Sequence, residues 1–264
     1  MRWEELTSDD FAQAVRDTGV CVIGVGVVER HGLQLPLGTD YLNIHEVVAR
    51  AAQIEPAVVF PPFYWGQIYE ARCYPGALTL PPMLMFSLFE AVFDEIARNG
   101  FKKIVPVSGH GGNRHFLPFL SDCSLWQRKP YSLYQPAFMA LAPEAREEMR
   151  AMTGPTDGHA GDGETSMMLA HRPDLAHMDR IPAHGWEPLG RLKHLPENQC
   201  GVFFYADHPE HYGGDATPAT ADKGRRMIEL FAQSLARFIA AVKADTVQPA
   251  LEDEFFRRAD GLGG

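Results

Sequence analysis

The nearly unbroken apolar run Val20-Cys21-Val22-Ile23-Gly24-Val25-Gly26-Val27-Val28 constrains this chain more than any other segment. A β-branched run without polar alternation must be covered on both faces, which is the condition of a parallel sheet flanked by helices. The run stops at Glu29, so a buried strand delivers the polar stretch Glu29 to Asp40. A second strand, Lys102 to Val107, ends in the same manner at Ser108-Gly109-His110-Gly111-Gly112-Asn113. Between them Leu42, Ile44, Val47, Val48, Ala51 and Ile54 recur at helical spacing, and Ala57 to Phe60 reads as a strand before Pro61-Pro62.

The remaining segments continue the alternation. Thr7, followed by Asp10, caps a short helix through Val15 that stops near Gly19. Helices are expected from about Pro82 to Asn99, Arg114 to Gln127, Pro143 to Met152 and Glu164 to His171, with a strand near Tyr131 to Gln135. Phe63 to Thr79 reads as a long aromatic loop and residues 174–216 as mostly irregular. Thr217 or Thr220 caps a long helix through about Lys243, its stripe formed by Met227, Leu230, Phe231, Leu235, Phe238, Ile239 and Val242. The charged, Gly-terminated tail beyond Asp245 is expected to be loosely held. This pattern predicts one α/β domain over residues 1–264 with a mostly parallel sheet and crossover helices.

A formal net charge of -10, with no cluster of Lys and Arg, argues against nucleic acid or an anionic membrane as partner. No apolar run reaches membrane-spanning length and the first residues do not resemble a secretory signal, so the cytoplasm is the expected compartment. Cys21, Cys73, Cys123 and Cys200 form no C-x-x-C pair and read as reduced packing residues. Gly24-Val25-Gly26 opens like a dinucleotide fingerprint, but the third glycine position is Glu29. Pro106 breaks a G-x-S-x-G elbow at Ser108, and there is no H-E-x-x-H helix.

Chemistry therefore falls to three polar, glycine-bearing clusters: Glu29 to Asp40, Gly109 to Asn113, and Asp157 to Ser166 with His159 and Glu164. In an open parallel sheet ligands bind beyond the strand C-termini, so Glu29, His31 and His110 should converge there. Imidazoles and carboxylates are a ligand set for Zn²⁺ or Mn²⁺. Glu29 and His31, two apart after a strand, can address adjacent positions, which suits two metals with Asp40 as bridge. Asp40 has a competing role as cap of the helix starting at Tyr41, and Glu164 as a first-turn carboxylate facing the helix dipole. His45, His115, His171, His177, His184 and His194 read as surface or helix residues. His208 and His211 stay open between a substrate-facing role and none.

At these clusters the sequence resembles the creatininase family, whose members carry E-x-H-G-x-H-x-P-x-x-x-D, G-H-x-x-N and H-x-G-x-x-E-T-S segments in this order. The likeness of layout runs from about Trp3 to Lys243. It implies a three-layer α/β/α fold, a homo-oligomer that is often a hexamer, and two divalent ions per subunit, Zn²⁺ or Mn²⁺ with Fe²⁺ as a third candidate. It makes Glu29 and His110 ligands of one ion, His31 a ligand of the other and Asp40 the bridge. Creatininase completes its site with a glutamate at the position of Gly112; family members with the G-H-G-G-N form use the glutamate of the E-T-S segment, which assigns that ligand to Glu164. Gln34 stands where the family usually has a second histidine, and Arg30 where glutamine is common. No tryptophan lies between Ala137 and Gly158, so a pocket other than that for creatinine is expected.

The resemblance implies hydrolysis of a C–N bond in a small cyclic amide or formamide, by a metal-activated water. His159 then protonates the departing nitrogen, and Glu164 serves as a catalytic carboxylate as well as a ligand. Two rival expectations are a hydrolase of a C–C bond in a cyclic polyol ketone of the inosose type, and a metal-binding scaffold without catalysis.

Overall fold

A computed structural model describes residues 1–137, 143–195 and 200–263. Its regular elements are α1 (Ser8–Thr18), β1 (Val20–Val25), α2 (Thr39–Ile54), β2 (Val58–Val59), α3 (Pro82–Arg98), β3 (Lys103–Ser108), α4 (Asn113–Cys123), β4 (Ser132–Leu133), α5 (Pro143–Thr153), α6 (Asp162–His171), α7 (Phe203–Asp207), α8 (Ala221–Ala244) and α9 (Val247–Asp260). The four strands are parallel in the order β2-β1-β3-β4. β1 and β3 run in register from Val20 opposite Lys103 to Val25 opposite Ser108.

The apolar run of β1 is explained by its two neighbours in depth. Val20 and Val22 pack into a cluster with Val47 and Val48 of α2 and Leu235 and Ile239 of α8. Cys21, Ile23 and Val25 turn the other way, toward Phe89 and Phe93 of α3 and Leu117 of α4. Side chains alternate across a strand, so both faces being apolar produces three layers, helix on sheet on helix. Each fully buried phenylalanine in such a core contributes roughly 1.5–3 kcal/mol. Lys103 ties the layers together: its Nζ donates to the carbonyls of Val242, Lys243 and Asp245 at 2.7, 3.0 and 2.6 Å, satisfying acceptors at the end of α8.

Caps fall where hydroxyl side chains permit them. Thr7 Oγ1 accepts from the Asp10 N–H, and Thr220 rather than Thr217 accepts from the Lys223 N–H. Several elements differ from the sequence reading. β1 ends at Val25 rather than Val28, because the Gly26 N–H donates to the Phe63 carbonyl and Val28 bridges to Leu78, drawing the chain off the sheet. α4 ends at Cys123 and passes into a 3₁₀ turn, Ser124–Trp126. α6 starts at Asp162, where the Asp157 carboxylate accepts the Gly163 N–H at 2.9 Å. The tail read as loose contains α9, held by buried Phe256 and by Gln248 Nε2 donating to the Leu133 carbonyl. The stretch read as irregular holds the short α7; residues 196–199 within it lie outside the described residues.

This topology positions a site. β1 is followed by β2 on one side and, through the next crossover, by β3 on the other. The strand order reverses between β1 and β3, and a crevice opens beyond their C-terminal ends at such a switch point. The chain leaving β1 carries Glu29 and His31, and the turn leaving β3 carries His110.

Candidate metal centre

The structure brings Glu29, His31, Asp40, His110 and Glu164 together in that crevice. Glu29, His31, Asp40 and His110 are buried, while Glu164 keeps a third of its side chain exposed. Asp40 sits in the first turn of α2 and presents its two oxygens to different imidazoles. Its Oδ2 lies 2.9 Å from His110 Nδ1, and its Oδ1 lies 3.2 Å from His31 Nε2. Glu29 Oε1 is also 2.9 Å from His110 Nδ1, and Glu164 Oε2 is 3.6 Å from His31 Nε2. Three donor triads follow, Glu29–Asp40–His110, His31–Asp40–Glu164 and Glu29–His31–His159, the first two sharing Asp40.

The donor set fits divalent cations on two grounds. Glu29 Oε1 and Asp40 Oδ2 are buried and lack a hydrogen-bond partner despite their short distances to His110 Nδ1. Donors about 2.0–2.2 Å from one ion lie roughly 3 Å from each other, so close approach without hydrogen-bond geometry suits ligands of a common cation. His31 is also oriented as a ligand: its Nδ1–H donates to the Glu29 carbonyl at 3.2 Å, which leaves the Nε2 lone pair for an ion. At Gly112 a side chain would require Gln67 and the His110 ring to shift. A Cβ there would fall 2.4 Å from Gln67 Oε1 and 2.6 Å from His110 Nε2.

Without ions the cluster holds its charge by mutual pairing. Burial opposes the charged form of His31, but Asp40, Glu164 and Glu29 outweigh it and raise that imidazole to about 10. Glu29 and Asp40 likewise overcome burial at His110 and hold it well above the usual histidine range. Burial works against Glu29, yet His110, His159 and a bond from His211 keep it well below the usual carboxylate range. Burial pushes Glu164 up to about 7, moderated by His31 and by the Ala160 N–H.

His159, read as the proton shuttle, lies over His31 with ring centroids 4.4 Å apart. Its Nε2 is 2.9 Å from the Arg30 carbonyl oxygen and 3.9 Å from Glu29 Oε2. Burial holds this imidazole well below the usual range, hence neutral. Gln34 does not face the donors; its buried amide donates to the Ala160 carbonyl at 2.7 Å. Ala160 in turn donates its N–H to Glu164 Oε2 at 2.7 Å, so Gln34 secures the loop that carries both His159 and Glu164. Arg30 pairs with Glu210 at 3.0 Å.

Sequence reasoning left His211 unassigned, although its Tyr-Gly-Gly-Asp sequel matches the glycine-rich setting of the other clusters. The structure places His211 Nε2 2.5 Å from Glu29 Oε2. A cavity of about 810 Å³ opens over the cluster, lined by Glu29, His110, His159 and Glu164 and by the aromatic rings of Phe86, Phe119 and Phe204.

The fold is that of solved creatininases, whose family is one of amidohydrolases, and the cluster lies at the switch point of the parallel sheet. The chain belongs to the creatininase family: the family model described as creatinine amidohydrolase matches residues 4–239. Creatinine amidohydrolase of Pseudomonas putida is 26% identical over 196 residues, covering 68% of this chain and 75% of that protein. Mycofactocin precursor peptide peptidase of Mycobacterium ulcerans (strain Agy99) is 30% identical over 236 residues, covering 84% and 85%. Among solved structures, a manganese creatininase superposes with a TM-score of 0.77 at 22% identity, covering 92% of this chain and 99% of that one. A zinc–zinc form of a creatininase variant gives 0.78 at 23%, covering 92% and 98%. These likenesses bear out the expected family and its three-layer α/β fold. No helix among the described residues is long and apolar enough to cross a membrane.

Proposed function

We propose that the protein is a divalent-metal-dependent hydrolase of C–N bonds, acting on the carbonyl of a cyclic amide, a formamide or a short peptide. The observation that carries this reading is the division of Asp40 between His110 and His31. Glu29, Asp40 and His110 would hold one ion, and His31, Asp40 and Glu164 the other. When bound, such a pair ionises water near neutral pH and polarises a carbonyl.

The chain's own residues supply the rest. Neutral His159, donating Nε2–H to the Arg30 carbonyl, keeps Nδ1 as a base that takes a proton as water attacks and returns it to the leaving nitrogen. Gln34 and Ala160 fix the carboxylate of Glu164 and the ring of His159 relative to each other. His159→Ala is expected to lower kcat by about 10² to 10⁴ while both ions stay bound. Full kcat in that variant, with metal content measured alongside, removes His159 from proton transfer.

A peptide is favoured by one specific observation, the aromatic cavity of about 810 Å³, much larger than one small ring requires. The relatives matched over most of their length that are named as peptide peptidases support the same choice. Whole protein loaded with Mn²⁺ or Zn²⁺ is to be offered cyclic amides, formamides, short peptides and inosose-type ketones. Turnover of an amide supports the proposal. Turnover of ketones alone moves it to C–C cleavage, and two bound ions with no turnover anywhere support the scaffold. The exposed side chains of Met83, Phe119 and Trp126 fit the homo-oligomer that the family resemblance implies.

Metal uptake should also depend on pH with a definite sign. His31 of the metal-free chain stays protonated up to about 10, and Glu164 up to about 7. An ion must displace the His31 proton, so apparent affinity rises roughly tenfold per pH unit per proton displaced until about pH 10. Calorimetry at pH 8 in buffers of different ionisation enthalpy should register proton release; uptake without it contradicts ligation by His31.

A further inference from the structure

We infer that His211 is a positioning residue of the metal centre: it holds one oxygen of Glu29 so that the other is presented as a ligand. The inference rests on the metal-dependent reading above. Glu29 Oε2 takes the bond from His211 Nε2 at 2.5 Å, whereas Glu29 Oε1 faces His110 and has no hydrogen-bond partner. An ionised carboxylate only accepts, so Nε2 carries the hydrogen of this bond. The Nδ1 of the same ring is buried and has no partner. A buried nitrogen left unpaired costs stability, and nothing else in the ring's hydrogen bonding compensates except the bond to Glu29.

The backbone gives independent support. Among the described residues only Ala160 and His211 are non-glycines with positive φ, at 56° and 51°. A left-handed conformation is strained at a residue with a Cβ and persists where surrounding contacts over-determine it. Here they do. The His211 carbonyl accepts from the Gly32 N–H at 2.9 Å, and Glu210 pairs with Arg30 at 3.0 Å. The Tyr74 hydroxyl donates to the Pro209 carbonyl, and the Arg30 guanidinium lies over the Tyr74 ring. The segment Pro209–His211 is thus pinned to the same Glu29–Gly32 stretch whose carboxylate it orients. Arg30 gains a reason that sequence could not supply: it anchors the loop bearing His211.

The test uses the metal alone as probe, on the whole chain. Mn²⁺ and Co²⁺ affinity and stoichiometry are measured by competition with a chromophoric chelator for the wild type, His211→Phe and His211→Asn. Phenylalanine keeps a ring between Phe204 and Tyr74 but has no nitrogen. Asparagine keeps an N–H donor and tolerates the left-handed backbone. Loss of a partner to a metal ligand typically weakens binding 10–100-fold. His211→Phe should therefore weaken one ion by about 10–100-fold, leave the other close to wild type, and alter the visible absorption of bound Co²⁺. His211→Asn should recover most of the loss. Two ions bound by His211→Phe as tightly as by the wild type would overturn the assignment. A wild type that binds no divalent ion would instead fail the metal reading itself. Should His211→Phe not fold by circular dichroism, Tyr74→Phe, which frees Pro209 and leaves His211 intact, should weaken the same ion several-fold; unchanged affinity there overturns the assignment equally.

Discussion

Asp40→Ala should abolish tight binding of both ions at once and lower kcat/KM by about 10³-fold or more, a loss of about 4 kcal/mol of transition-state stabilisation. The reason is geometric. Asp40 belongs to the two donor triads proposed to hold the ions, so its removal leaves Glu29–His110 on one side and His31–Glu164 on the other, each a pair rather than a triad. Loss of Glu164 alone would strip only one triad. Asp40 is also an acidic residue in the first turn of α2, where it interacts with the helix dipole, typically worth about 0.3–1 kcal/mol. The two roles separate in a melting experiment. Ions at 100 times their Kd stabilise a folded chain by about 2.7 kcal/mol each, which for a domain near this size raises Tm by several degrees. The wild type should show that rise and Asp40→Ala should not, while the two metal-free proteins differ by no more than the helix-dipole contribution and the lost imidazole pairing. If Asp40→Ala retains the rise and two ions, Asp40 is only a helix residue and the dinuclear reading fails.

What could be read from sequence follows the range of the interactions involved. Glu29, His31 and His110 were legible because each comes soon after an apolar run that reads as a strand, and strand ends of a parallel sheet converge. Asp40 was read as the bridge with helix capping as its competing role, since a first-turn aspartate looks the same whether it caps or ligates. The roles of Gln34 and His211 were not legible. Gln34 acts through Ala160, 126 residues away, and His211 through Glu29, 182 residues away. The early end of β1 has the same origin, a bond from Gly26 to Phe63 that no local pattern encodes. α9 escaped for a different reason: Phe256 is its one buried residue, so it lacks the apolar stripe by which helices are recognised, and Val247, Leu251 and Phe255 lie exposed. Gly112 shows the reverse case. The departure from the family pattern was visible at once, but what surrounds the position, Gln67 and the His110 ring, is purely tertiary.

Gly224→Ala should destabilise the folded chain by about 4 kcal/mol or more, although alanine is the better helix former by roughly 1 kcal/mol. Gly224 lies in the first turns of α8, where that helix crosses α6. A Cβ at this position would sit 1.8 Å from the Ser166 carbonyl oxygen, 2.3 Å from its carbon and 2.8 Å from the Met167 nitrogen. All three are backbone atoms, so no side chain can swing aside and the helices must part. Ser166 cannot move freely either, because its hydroxyl donates to Asp162 at 2.9 Å and accepts from the Thr220 N–H at 3.0 Å, while Lys223 Nζ holds Asp162 at 2.6 Å. Overpacking of this kind commonly costs about 1–3 kcal/mol, and a rigid backbone contact belongs in the tail above that range. α6 also carries Glu164, so a shift of the helix moves a donor of the second triad, and metal affinity should fall together with stability. Gly261, with nothing within 4 Å of a built Cβ, is the control: Gly261→Ala should change the urea unfolding free energy by no more than about 0.5 kcal/mol. A Gly224→Ala chain that unfolds at the wild-type urea midpoint would mean that α6 and α8 do not cross at this distance.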